Sequence, residues 1–388
     1  MSRLLAGVCV FILSASMPMI FGFLFLFVFV FTKKHLWFSI AITLIVYSFA
    51  LMNFNKEIVG DLLWYSDQYL NHYGNSFKDI FDGYISGVKA KETEPLYHIV
   101  SYLLSNLFNA NYFVFVLGVT FLVYIPAVIS IVYIARYFRL NELEKVFLVV
   151  FFIFFSLVFT QSIHLIRQYI ACSLFLLFLC NLLDRKYYYC IFFSLLSILT
   201  HNSMLVVVII VAAVYFLLAY LENSGRGVKV LVVATVTTVF SFAYIGVFYL
   251  IGSGHALSIN DGSVSAVVKL TDILLFMISA FFVTKVEIGQ REINRLWFLY
   301  LAFCVFILCM HFSLFLSLRY YFYMDFFRWI PIAVILYSVG IKREMYLLML
   351  PVIISLGILH VDYRVAVSPF YYGGSIFSYI FYPFNSLW

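Results

Sequence analysis

The chain has 388 residues, 65% of them hydrophobic and only 11% charged, with a formal net charge of +6 and a mean hydropathy of +1.05. So few charges cannot cover the surface of a soluble domain of this length, and the composition instead fits a polytopic membrane protein. In such a chain the Lys and Arg excess reports orientation across the membrane and says nothing of nucleic acid.

A span takes about 20 apolar residues. On that measure the chain reads as all-α, a single membrane domain over 1–388 with about twelve spans. They fall at 10–31, 36–52, 111–134, 146–162, 168–183, 188–201, 204–221, 228–251, 268–285, 296–316, 322–339 and 345–360. The first 31 residues are too long and too apolar for a cleaved leader and read as a retained span, either a tilted helix or a hairpin. Between spans 2 and 3 lies one long polar loop, 53–95. Residues 365–388 form an aromatic tail that re-enters the membrane or lies on it. No 20-residue pattern recurs, and no pair of Gly/Pro-broken spans occupies matching halves as in inverted-repeat transporters.

Alternate junctions carry Lys33 and Lys34; Arg136, Arg139 and Lys145; Arg185 and Lys186; Arg226 and Lys229; Lys285, Arg291 and Arg295; and Lys342 and Arg343, together 14 of the 24 Lys and Arg. The positive-inside rule makes these junctions cytoplasmic. The opposite, periplasmic face then holds the 53–95 loop, the turn near Arg167, the His201 turn, loop 252–267 and Arg319.

That face concentrates the residues able to do chemistry. Residues 146–183 contain one charged side chain, Arg167, beside the polar cluster Thr160, Gln161, Ser162, His164 and Gln168. A 38-residue apolar run is two helices and a turn, and the turn belongs at that cluster. Arg167 then either snorkels to the headgroups or pairs with a carboxylate, or its planar guanidinium grips phosphate oxygens in a dry site. Arg319, in LSLRYYFYMDFFRW, repeats the situation and tilts the balance toward an anion site. Asp325 and Arg328, three apart, are expected to satisfy each other.

The long loop holds seven carboxylates: Glu57, Asp61, Asp67, Asp79, Asp82, Glu92 and Glu94. Most are expected simply to be solvated. Asp67 sits between aromatics in WYSDQY, and Glu94 directly precedes Pro95 and an apolar helix. Both contexts suit a carboxylate of raised pKa acting as a general base. His201, closing a span in SILTHNSML, fits either a hydrogen-bonded structural histidine or a site residue. Cys9, Cys172, Cys180, Cys190, Cys304 and Cys309 all lie in apolar runs without metal-site spacing, Glu92 and Glu94 alone are a weak pair for a divalent ion, and neither a metal nor a cofactor is expected. No Walker loop, GxGxxG or DxD is present, which argues against a cytoplasmic nucleotide donor.

The order SDQY (66–69), EPLY (94–97), IRQYIA (166–171), THNS (200–203) and RYYFY (319–323) resembles the EpsG-like branch of the Wzy polysaccharide polymerases. The likeness covers roughly residues 55–325, and the Arg-Gln pair followed some 30 residues later by His-x-Ser is its most specific part. The Asp–Tyr element is filled by Asp67 with Tyr69 or by Asp61 with Tyr65. The resemblance implies a multi-pass protein of the bacterial inner membrane that polymerises oligosaccharide repeat units linked to undecaprenyl diphosphate, at the periplasmic face. It implies catalytic roles for Asp67, Glu94 and His201 and diphosphate contacts from Arg167 and Arg319. It implies substrate contacts from Asp61, Tyr69, Gln168, Ser203, Tyr320 and Tyr323. The implied partners are that lipid-linked glycan, membrane lipid and a chain-length regulator protein. A ligase-like transferase that moves finished glycan onto lipid A core would use the same arginines. A non-enzymatic flippase would need polar residues along both leaflets, and the polar residues here cluster on one side.

Overall fold

A computed structural model of the chain describes residues 13–78, 94–157, 159–251, 266–284, 291–340 and 343–381. The expected loop carboxylates Asp79, Asp82 and Glu92, most of loop 252–267, and the tail beyond 381 lie outside these residues.

The described chain is helical throughout, apart from turns and one isolated antiparallel bridge between Lys56 and Tyr372. In order the helices are α1 Pro18–Thr32, α2 His35–Phe54, α3 Asp61–Asn71, α4 Pro95–Leu107, α5 Tyr112–Ala135, α6 Glu142–Phe151, α7 Ile166–Leu183, α8 Tyr187–Thr200 and α9 Met204–Tyr220. They continue as α10 Arg226–Ile251, α11 Ala266–Val283, α12 Arg291–Met310, α13 Leu314–Tyr321, α14 Trp329–Val339, α15 Arg343–Ala366 and α16 Ile376–Phe381. Among the described residues, seven segments are long and apolar enough to cross a membrane: α2, α5, α7, α10, α12, Arg319–Val339 and α15. The protein is therefore a multi-pass membrane protein.

Several of the twelve expected spans fall short of that measure for visible reasons. Helices α1, α8 and α9 are apolar but have only 15, 14 and 17 residues. The expected span 146–162 is interrupted, because α6 passes into a π-helical turn, Phe152–Ser156, and then a 3₁₀ turn, Phe159–Gln161. The polar turn expected ahead of Arg167 is present, and α7 starts directly after it.

Helix α7 is the axle of the site. Of the seven, α7 and α12 are the most enclosed, while α10 and α15 are the least and present apolar side chains such as Leu231, Val239, Leu348 and Leu356 outward, as lipid-facing helices do. Helix α7 runs parallel to α5. Ser173 donates to the Val123 carbonyl and Cys180, one heptad on, to that of Ser130 at 3.5 Å. At its far end Asp184 accepts hydrogen bonds from Tyr133, Tyr137 and Arg136 and pairs with Lys186 at 3.1 Å. Helix α8 packs antiparallel on α7, tied by Ser197 Oγ to the Ala171 carbonyl at 2.7 Å. The start of α7, the end of α8 and the start of α9 therefore share one end of the bundle.

Candidate functional site

Glu94 sits at the N-cap of α4 (φ −124°, ψ 76°), outside the α region that a following proline disfavours. Pro95 at the first helical position brings no N–H that needs capping. The Glu94 carboxylate makes no cap hydrogen bond and is used elsewhere. It is buried, with Oε1 2.5 Å from His201 Nδ1 and Oε2 2.5 Å from Arg167 Nη1, and Oε1 also accepts the Asn202 backbone N–H at 3.3 Å.

Each partner arrives from a helix end. Arg167 is in the first turn of α7. Its Nε donates to Tyr65 Oη at 3.0 Å, and its guanidinium lies over the Trp64 ring at 4.9 Å. His201 caps the C-terminus of α8 in extended conformation, and the three residues His201–Ser203 make the whole link to α9. Gln168 donates to the Arg319 carbonyl at 2.8 Å, docking the end of α13 on the first turn of α7. The Arg319 side chain is exposed.

The electrostatics follow from this packing. Burial alone would push the Glu94 carboxyl up, but His201, Arg167 and the Asn202 N–H outweigh it, and the carboxyl is held below its ordinary value. This corrects the expectation of a raised Glu94 pKa. The proline and the apolar helix after Glu94 are legible locally, while the cations that reverse the shift come from the ends of α7 and α8. His201 is held below the ordinary imidazole value, mainly by burial; Glu94 opposes that, and the positive charges of Arg319 and Arg167 add to it. An ionised carboxylate only accepts, so in the neutral ring Nδ1 carries the proton and Nε2 keeps its lone pair. That Nε2 is buried and has no hydrogen-bond partner among the described residues.

A second group of expected residues lies alongside. Ser203 Oγ is 2.5 Å from Tyr323 Oη, and the Tyr320 hydroxyl is within 3.4 Å of the Ser203 carbonyl and 2.7 Å from Tyr244 Oη. The Tyr320 and Tyr323 rings stack with centroids 5.4 Å apart. Ser203 adjoins His201 through one residue, so these hydroxyls border the imidazole.

The structure does not bring Asp67, Asp61 or Tyr69 into this cluster. Asp67 is exposed on α3 and makes no hydrogen bond or ion pair among the described residues. Asp61 is exposed in the first turn of that helix. Tyr69 points the other way and donates to the Asn111 carbonyl at 3.1 Å, a tie between α3 and the start of α5. Of the two Asp–Tyr pairs, the one containing Tyr65 meets Arg167. Sequence reasoning missed Trp64 outright. Its signal was the α-helical spacing of 61–71, which puts Trp64 and Tyr65 next to each other above the buried Leu62 and Tyr69.

Comparison with known proteins returns one family. The EpsG family model matches residues 37–381, nearly the whole chain and every site residue above. No curated protein and no solved structure matches the chain.

Proposed function

From the premise that the chain belongs to the EpsG family, we propose that it is a membrane glycosyltransferase that polymerises lipid-diphosphate-linked oligosaccharide repeat units. It would do so from the periplasmic side of the bacterial inner membrane, the side that the basic junctions leave for the Glu94–Arg167–His201 face. The observation that carries the reading is His201, a buried imidazole oriented by a carboxylate through Nδ1, with a free lone pair on Nε2 and arginines on the same face.

The chemistry balances with these groups. The hydroxyl of the acceptor sugar gives its proton to His201 Nε2, and its oxygen attacks the anomeric carbon of the donor. The bond from that carbon to the phosphate oxygen breaks, and the electron pair leaves with the lipid diphosphate. Glu94 stabilises the imidazolium that forms, as carboxylate–histidine pairs do elsewhere. Arg319 and Arg167 meet the charge developing on the diphosphate, where planar donors in a water-poor site act most strongly. Tyr320, Tyr323, Ser203 and Trp64 supply hydroxyls and an aromatic face suited to sugar rings. The donor carries its own activation, so the reaction needs no nucleotide.

The test is reconstitution. Purified protein in proteoliposomes, given only undecaprenyl-diphosphate-linked repeat units, is expected to produce a ladder of polymer lengths. Transfer only when a lipid A core acceptor is added would replace this reading with a ligase, and transport without bond formation would replace it with a flippase.

A further inference from the structure

Residues 370–372 pack beside the turn that leads into α7 and Arg167, and the chain just past α2 meets them. The Glu57 N–H donates to the Tyr371 carbonyl at 2.9 Å beside the Lys56–Tyr372 bridge. Lys56 itself is buried. Its Nζ donates to the Thr160 carbonyl at 2.7 Å, with the Phe370 and Tyr372 rings 4.4 and 5.1 Å away. Phe370 also stacks on His164, the centroids 3.8 Å apart. Asn53, one turn earlier on α2, reaches Ser162 and, on α5, Thr120, both at 3.3 Å.

The contacts of Lys56 with Thr160, Asn53 with Ser162 and Phe370 with His164 grip one turn, 159–165, and that turn runs without a break into α7. Leu165 N–H donates to the Gln161 carbonyl at 2.8 Å and Tyr169 N–H to that of Leu165 at 2.8 Å. A displacement at Thr160 is thus passed to the first turn of α7 through adjoining hydrogen bonds. A lysine that only marked the membrane boundary would leave its amine among headgroups. This one is enclosed by a carbonyl and two ring faces, which is how a dry site satisfies an amine.

We propose that Lys56 is a positioning residue whose amine latches residues 370–372 onto the 159–165 turn, fixing how α7 presents Arg167. The C-terminal segment is then a working part of the catalytic face. The inference rests on the reading that Arg167 holds the donor diphosphate.

The test uses full-length Lys56→Met and Lys56→Arg in proteoliposomes with lipid-linked repeat units. It measures the donor concentration for half-maximal rate, the turnover at saturating donor, and the maleimide labelling rate of a Ser368→Cys reporter. Lys56→Met is expected to raise half-saturation about tenfold while saturated turnover stays within about threefold, and to label about tenfold faster. Lys56→Arg, which keeps N–H donors, is expected to return both to within about threefold of wild type. Phe370→Leu keeps the amine but removes one ring, and is expected to raise half-saturation about threefold. If Lys56→Met does not accumulate, Phe370→Leu decides, and an unchanged half-saturation there overturns the latch. Loss of abundance with native half-saturation in the surviving protein also overturns it, since that is a purely structural lysine. Fast labelling with native half-saturation overturns the link to Arg167. Native half-saturation in Arg167→Ala would instead remove the diphosphate reading, leaving the labelling rates to judge the latch.

Discussion

Arg328 and Arg167 both meet carboxylates inside this protein, and they are treated differently. Arg328 donates to Asp272 at 2.6 and 3.0 Å, to Asp325 at 2.5 Å and to the Ser156 carbonyl at 3.0 Å. Tyr169 reaches Asp325 at 2.5 Å, and Tyr321 also donates to Asp272, so both carboxylates are met from a second side. The Arg328 side chain is 6% exposed. Part of the reason is that the helix ends at Ser156, whose carbonyl has no following turn to accept from and is taken up by Arg328. Among the described residues Arg167 pairs with the Glu94 carboxylate, leans on Trp64 and Tyr65, and stays 17% exposed. Its carboxylate partner also orients an imidazole with an unused nitrogen. A closed ion network holds helices together, whereas one with remaining hydrogen-bonding capacity, at a helix-end junction, is placed to work on a ligand.

Substitutions should separate the two regions. The largest effect is expected from Arg328→Met, which strands two buried carboxylates at a cost of about 3–5 kcal/mol. Membrane abundance should collapse, and normal abundance with a native unfolding temperature would show that this network is not structural. His201→Gln comes next. It should leave abundance intact and cut polymer formation by about 10²–10⁴, the usual contribution of a general base. Native ladders from that variant would place the base elsewhere.

The same histidine predicts a pH effect. Its pKa is lowered chiefly by burial, so the neutral, active form persists below the ordinary imidazole pKa of about 6.5, and turnover should fall only on further acidification. Glu94→Gln removes the carboxylate that favours the imidazolium, so the fall should move further toward acid while the rate drops. A pH–rate profile whose acid limb stays in place, or moves the other way, breaks the pairing.

Arg167→Lys keeps the charge but loses the planar fork. It should cost about 1.5–3 kcal/mol, or roughly one to two decades in rate at matched abundance. An arginine that only snorkels or balances Glu94 would be replaced by lysine with native ladders. The smallest effect is expected from Asp67→Asn, within about threefold, because an exposed carboxylate outside the cluster has little to lose. Loss of polymer there would shift the base onto α3.

Much of this contrast was legible in the sequence. An arginine in a 38-residue apolar run announces itself, and Asp325 and Arg328 pair as their spacing suggests, at 2.5 Å. Glu94, Arg167 and His201 were all singled out as individuals. Their mutual arrangement was not, because the contacts join residues 73 to 107 positions apart. Asp272 was missed for the same reason, lying 56 positions from Arg328. Lys56 was not singled out, because the rings that enclose it lie more than 300 residues later. The choice between Tyr65 and Tyr69 depends on which face of α3 meets α7, and one short helix does not carry that information.

The clamp at the far end of α7 works as a depth gauge. Eighteen residues make a rod of about 27 Å, close to the roughly 30 Å of a bilayer's hydrocarbon. Asp184 holds one end against Tyr133, Tyr137, Arg136 and Lys186, while the Ser173 and Cys180 contacts prevent slippage along α5. In the proposed orientation, the height of Arg167 in the outer leaflet would therefore be set from the opposite surface of the membrane. One residue inserted between Ser173 and Cys180 would turn the first turn of α7 by about 100° and lift it about 1.5 Å. The guanidinium would leave both Tyr65 and Glu94 with neither of them altered.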